Sequence, residues 1–261
     1  MLRGIISLLL LATFAHVGAG SVAGAQSPEP LVTDRPNFTE SAITVAPGRV
    51  QVEAGYTFTR RDEVESHSVG EALFRIGILK RVELRVGLNS FAWLAEPSGD
   101  DRGLEDPSLG AKFSLFKASP KFNILRPDVA VLVGTTLPLG GDETGEDKAQ
   151  PRISLLLGWD INERLSVGSN FGYASLSEGG DRFNQLNGSL ALGIGFNEVL
   201  GGYVEIFGLV PDDPSGADAA FFNGGVTVLA NPNLQFDVRA GIGFSDAEPD
   251  YFAGLGLSWR I

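Results

Sequence analysis

Charged side chains stand in segments whose alternate residues are apolar: Glu53, Glu71, Arg75, Glu83, Arg85, Lys112, Arg152, Glu205, Asp237, Arg239 and Arg260. Both signs occur, which argues against a single-sign selectivity ring. Opposite charges on neighbouring strands can pair and hold a narrow lumen shut, or they can line a path for solutes. A second polar cluster lies upstream in "TDRPNFTES", where Asp34, Arg35, Asn37, Phe38 and Glu40 combine a charged pair, an amide, a ring and a further acid. Such a segment could dock against a mixed-charge wall, with Asp34 and Arg35 pairing to residues such as Arg260 and Glu83.

Catalytic and metal chemistry find less support. The two histidines are His16, in the first stretch of the chain, and His67, in "DEVESHSVG". A single histidine base without a Gly-x-Ser-x-Gly elbow does not make a hydrolase, and His67 reads as a solvated loop residue. Asp142, Glu143, Glu146 and Asp147 crowd "GGDETGEDK", but their spacing misses the calcium-loop pattern. A solvated loop that touches divalent ions bridging lipopolysaccharide fits better. No catalytic residue, metal ligand or cofactor is assigned.

The elements that position the charges are strands. "RVQVEAGYTFTR" sets Val50, Val52, Ala54, Tyr56 and Phe58 against Gln51, Glu53, Gly55, Thr57 and Thr59, and "VELRVGL", "LQFDVRAGIGF" and "YFAGLGLSWRI" alternate in the same way. Segments of the same kind bring the total to about twelve, each near the length a tilted strand needs to cross a hydrocarbon core. "DVAVLVG" and "RISLLLG" are apolar on both sides, which leaves a buried sandwich strand open for those two. The connections alternate between long acidic ones, at 60–69, 95–106, 139–151, 176–182, 211–219 and 245–250, and mostly tight ones. This is the pattern of a transmembrane antiparallel up-and-down β-barrel with short periplasmic turns and longer external loops. The apolar side of each strand then faces lipid and the charged side a lumen, and closure leaves no free edge in the membrane. Tyr56, Phe58, Tyr173, Phe244 and Tyr251 fall at the external ends of outward rows, with Trp159 and Trp259 at the periplasmic ends. Trp93 falls on the inward parity unless a bulge near Ser90 shifts it.

Composition agrees with an exported barrel. Glycine, at 34 residues, is abundant without a three-residue period, and there is no cysteine for a disulfide or thiolate metal site. The formal net charge of −12 argues against nucleic acid. Residues 1–25 read as a signal peptide, with Arg3, an apolar stretch from Ile5 to Val17 and the small-residue site Ala23-Gly24-Ala25. Residues 26–48 hold Pro28, Pro30, Pro36 and Pro47 without a period of two, and form a pre-barrel segment that is either a tether or a periplasmic plug. Residues 49–261 form the barrel.

"TDRPNFTES", "APGRVQVEAGYTFTR", "EDPSLGAKFSL" and "GTTLPLGG" leading into "LGWDINERLSVGSNFGY" resemble the MetA-pathway phenol-degradation family of bacterial outer-membrane proteins. The resemblance spans nearly all of the chain after the leader. It implies an outer-membrane barrel that passes small, even aromatic, molecules. The partners expected of the barrel are outer-membrane lipid, lipopolysaccharide and a small-molecule solute. The other reading is a structural or cell-surface barrel with a closed lumen, whose acidic external loops bind a partner.

Overall fold

The computed structural model describes residues 30–261 apart from 98, 120, 121, 123 and 245–250. The expected signal peptide, residues 1–25, and the expected external connection at 245–250 therefore lie outside the described residues. Strands β1 (Val50–Arg61), β2 (Val64–Leu79), β3 (Val82–Glu96), β4 (Gly99–Leu104), β5 (Ser108–Phe116), β6 (Asp128–Thr136) and β7 (Gln150–Asp160) are followed by β8 (Leu165–Glu178), β9 (Asp181–Gly195), β10 (Leu200–Val210), β11 (Ala219–Asn231), β12 (Leu234–Gly243) and β13 (Tyr251–Arg260). Each pairs antiparallel with its neighbours, and β1 pairs with β13 from Gln51↔Arg260 to Arg60↔Tyr251, which closes the wall. Twelve strands make the barrel. The extra one, β4, pairs only with the external half of β3, whose periplasmic half pairs with β5.

The outer surface is apolar, as a closed wall in lipid requires. Val204, Ile206, Phe222, Phe236, Val238, Leu255 and Leu257 all point outward and are exposed. Charged and amide residues of the opposite parity are buried instead: Gln51, Glu53, Arg75, Glu83, Lys112, Glu205 and Asp237. This inversion of the soluble-protein pattern places the chain in the outer membrane.

Three expectations about the external rim are corrected. The segments at 60–69 and 176–182 are not loops, because the strands run on into hairpins closed by Asp62-Glu63 and by Gly179-Gly180. Both glycines have positive φ, 56° and 88°, as a two-residue hairpin turn demands. Part of 95–106 likewise becomes β4. Extending the strands satisfies backbone groups that a loop would leave to water. On the periplasmic side the connection between β5 and β6 is the long one, spanning 117–127.

Trp93 faces outward, exposed at 44%. Asn89 takes a φ of 53° and the pairing of β2 with β3 shifts between Val69 and Ala72, so the parity of β3 reverses after Leu88. The bulge puts Trp93 against His67, with ring centroids 5.1 Å apart. His67 in turn meets Phe58 at 5.3 Å, Phe58 meets Tyr251 at 5.9 Å, and the Tyr56 hydroxyl lies 2.8 Å from His67 Nδ1. His67 is therefore a strand residue in an outward aromatic belt rather than a loop residue.

Candidate functional site

Residues 31–47 enter the lumen and run against the inner wall. The wall holds them mainly through their backbone. Glu53 accepts from Asp34 N at 3.1 Å and Arg35 N at 2.9 Å, Glu205 accepts from Phe38 N at 2.9 Å and Thr39 N at 2.5 Å, and Glu83 accepts from Val45 N at 2.8 Å. The segment has no ladder of its own, so these carboxylates supply the acceptors that its buried amides need. Wall donors serve the carbonyls: Gln51 and Arg75 reach Val32 O, Arg75 reaches Ile43 O, Lys112 reaches Ser41 O and Arg239 reaches Pro36 O.

Side chains add a buried ionic cluster. Asp34 receives Arg85 at 2.5 Å, Lys112 at 2.9 Å and Arg75 at 3.3 Å, and it also accepts from Ser41 N. Burial alone would raise the Asp34 carboxyl, but Arg75, Lys112 and Arg85 outweigh it and hold it well below the usual carboxylate range. Arg75 and Arg85 sit directly opposite each other on β2 and β3, and Glu53, Glu83, Asp34 and Glu40 offset that pair. Arg35 pairs with Glu71 and, at 3.5 Å, with Asp237. Its guanidinium fills the space over Gly55, where any Cβ would collide with it.

The apolar half of the segment meets apolar wall. Ala42 packs with Ala130, Leu132 and Leu156, the inward residues of β6 and β7, which explains why these strands read as apolar on both sides. Phe38 stacks on Phe207 with centroids 4.3 Å apart and planes 6° apart, and Phe207 stacks on Phe221 at 4.5 Å and 13°. Phe252 meets Phe221 edge-on at 6.5 Å, and Arg239 lies 5.7 Å from the Phe252 ring.

The sequence-derived sites sort as follows. Glu53, Glu71, Arg75, Glu83, Arg85, Lys112, Glu205, Asp237 and Arg239 face the lumen and contact residues 31–47 or one another there. Arg152 points inward from β7, is exposed, and makes no ion pair or hydrogen bond to a described residue. Arg260 sits at the periplasmic rim and donates to Asn233 Oδ1 at 3.0 Å and to Pro232 O, so the expected pair with Asp34 gives way to a turn-capping role. Glu83 takes Val45 N, Arg75 and Arg85 rather than Arg35. Glu40 pairs with Arg85, and Asn37 is half-buried. Residues the sequence reading left out include Gln51, Asn170, Ser189 and Phe221. Asn170, with its amide turned to suit, accepts from Glu40 N at 2.7 Å and donates to Glu40 O at 3.1 Å, and Thr39 donates to Ser189 Oγ at 2.8 Å. The parity of Gln51, Asn170 and Ser189 was legible, but nothing in an uncharged residue marked it as a dock.

The acidic connection at 137–149 is braced rather than free. Asp106 accepts from Gly140 N at 2.8 Å and Glu146 N at 3.0 Å, and Glu143 accepts from Arg102 N at 3.2 Å. Burial and the carboxylates of Glu178, Asp147 and Asp106 raise Glu146. Among the described residues no group of three or more acidic or histidine side chains is arranged to hold a metal ion. At the periplasmic mouth a cavity of about 320 Å³ lies beside β8 to β11, lined by Ser166, Gly193, Gly195, Gly201 and Thr227 among others.

The family model described as "Putative MetA-pathway of phenol degradation" matches residues 33–261, the docked segment and the whole barrel together. The chain belongs to this family. The barrel is similar in fold to the NanC porin, at 10% identity over 81% of this chain and 100% of that one with a TM-score of 0.53. It is likewise similar to the KdgM porin, at 10% identity over 80% of this chain and 98% of that one with a TM-score of 0.53. At such identity the likeness is one of fold. No curated protein matches the sequence.

Proposed function

We propose that the protein is an outer-membrane channel for small solutes that carry an aromatic ring, gated on the periplasmic side by its own residues 31–47. The observation that carries this reading is the stack of Phe38, Phe207 and Phe221. It presents aromatic surface inside a lumen whose wall elsewhere carries charges, small polar residues and the aliphatic patch of Ala130, Leu132 and Leu156, and flat rings would find offset-stacking partners there. The cavity beside β8 to β11 supports a periplasmic exit on the side of the wall where Glu205 and Asn170 hold Thr39 and Glu40. Release of these residues would join that cavity to the lumen above.

The filled periplasmic half also suits a closed cell-surface barrel, and one measurement separates the two. Replacing Asp34 and Arg35 together by alanine removes the ion pairs that these two residues make with the wall and leaves the wall ladder intact. In planar bilayers a gated channel responds with a several-fold rise in mean conductance, while the folded barrel still shifts with heating on gels. Conductance at the wild-type level in the double variant, with the barrel folded, would sink the gating role.

A further inference from the structure

Of the wall cations Arg75, Arg85, Lys112, Arg152, Arg239 and Arg260, only Arg152 lacks a described partner. The other five each hold a carboxylate or a carbonyl. An inward-facing guanidinium that stays exposed is open to an anion arriving through the water of the lumen.

Its position narrows what that anion would be. From the periplasmic end, the inward residues of β7 run Gly158, Leu156, Ser154 and Arg152, and Leu156 already packs on Ala42 of the segment. Arg152 thus stands on the external side of Ala42. The row of paired residues Gln51, Arg75, Arg85, Gly110, Gly134, Arg152, Ala174 and Gln185 starts at the periplasmic end of β1 and climbs the wall strand by strand. On β10 it would arrive just beyond Val210, the partner of Leu186. Phe207 lies a few residues nearer the periplasm than that point. Climbing three tilted strands raises the row by about 9 Å, and stepping back from the row to Phe207 lowers the level by about 10 Å, so Arg152 and Phe207 sit at one height. Three strands apart on a twelve-strand wall, their backbones are roughly 17 Å from each other across the lumen. Side chains reaching in from both sides leave a gap of the order of one substituted benzene ring.

We propose that Arg152 and the face of Phe207 form a two-point site for an aromatic carboxylate, and that Phe38 occupies the ring's place in the structure seen here. The carboxylate takes two nitrogens of the guanidinium, and the ring stacks on Phe207 where Phe38 now lies parallel to it. Binding of the solute then removes one of the contacts that hold the segment, so solute and gate compete for the same aromatic face. This inference rests on the channel reading and adds the charge of the solute and the residue that recognises it.

Isothermal titration of the purified barrel with three probes tests it. Benzoate has ring and charge, cyclohexanecarboxylate has charge without a flat ring, and benzyl alcohol has the ring without charge. The wild type should bind benzoate at least tenfold more tightly than either of the others. Arg152→Gln should abolish the preference for benzoate over benzyl alcohol, Arg152→Lys should keep part of it, and Phe38→Ala should tighten benzoate severalfold. An unchanged preference in Arg152→Gln overturns the role of Arg152, and unchanged benzoate affinity in Phe38→Ala overturns the competition. If the wild type binds neither aromatic probe, the aromatic-channel reading falls with the inference. If it binds benzyl alcohol and benzoate equally, the channel reading stands and the carboxylate site does not.

Discussion

Changing Asp34 to asparagine keeps the size of the side chain and an acceptor for Ser41 N, but removes the charge that faces Arg85 at 2.5 Å, Lys112 at 2.9 Å and Arg75 at 3.3 Å. Removing one partner from a buried ionic group costs roughly 3 to 5 kcal/mol, because the other charge is left without compensation. Arg75 retains Glu53 and Glu83, and Arg85 retains Glu83 and Glu40. The loss falls mainly on Lys112, which keeps the Ser41 carbonyl at 2.8 Å, so the cost lies near the lower bound, about 3 kcal/mol. The wall strands keep every ladder hydrogen bond. The destabilisation therefore acts on docking rather than on the barrel, and the undocked population should rise roughly a hundredfold. The chain has no cysteine, so Thr44→Cys introduces a single thiol at a position buried in the docked state. Its reaction with a small water-soluble maleimide reports undocking. Asp34→Asn in this background should accelerate labelling by about two orders of magnitude, in line with that population shift. Equal labelling rates, with both barrels folded, would refute the ionic account of the dock.

Two further outcomes follow from the same contacts. The Asp34 carboxyl is depressed in the docked state, so its contribution is present above the ordinary value of 3.8 and is lost only as pH falls through the lower docked value. Hydrogen-exchange protection of the Thr39 amide, corrected for intrinsic rates, should then hold from neutral pH to about pH 4 and fail in stronger acid, whereas loss between pH 7 and 5 would contradict this. Gly55→Ala places a Cβ in the seat of the Arg35 guanidinium, touching no other group as closely. It should raise labelling at Thr44→Cys severalfold by disturbing the pairs with Glu71 and Asp237, and an unchanged rate would show that these pairs do not hold the segment.

The strands, the lumen parity and the barrel could be read from the sequence, because a period of two is a local property of the chain and survives whatever the strands pair with. The inward charges of β1, β2, β3, β5, β10 and β12 were legible for the same reason. The parity of Trp93 was not, since it depends on a bulge at Asn89 that forms only when β2 and β3 are paired. Phe221 escaped because it stands beside Phe222, and two adjacent rings carry no sign of which one faces the lumen. What the wall charges do was settled by tertiary structure alone. Glu53, Glu83 and Glu205 bind backbone amides of residues 34, 35, 38, 39 and 45, and a backbone amide is identical in every residue but proline. A sequence can show that a carboxylate points inward, but a partner with no side-chain signature becomes visible only once the chain is folded around it.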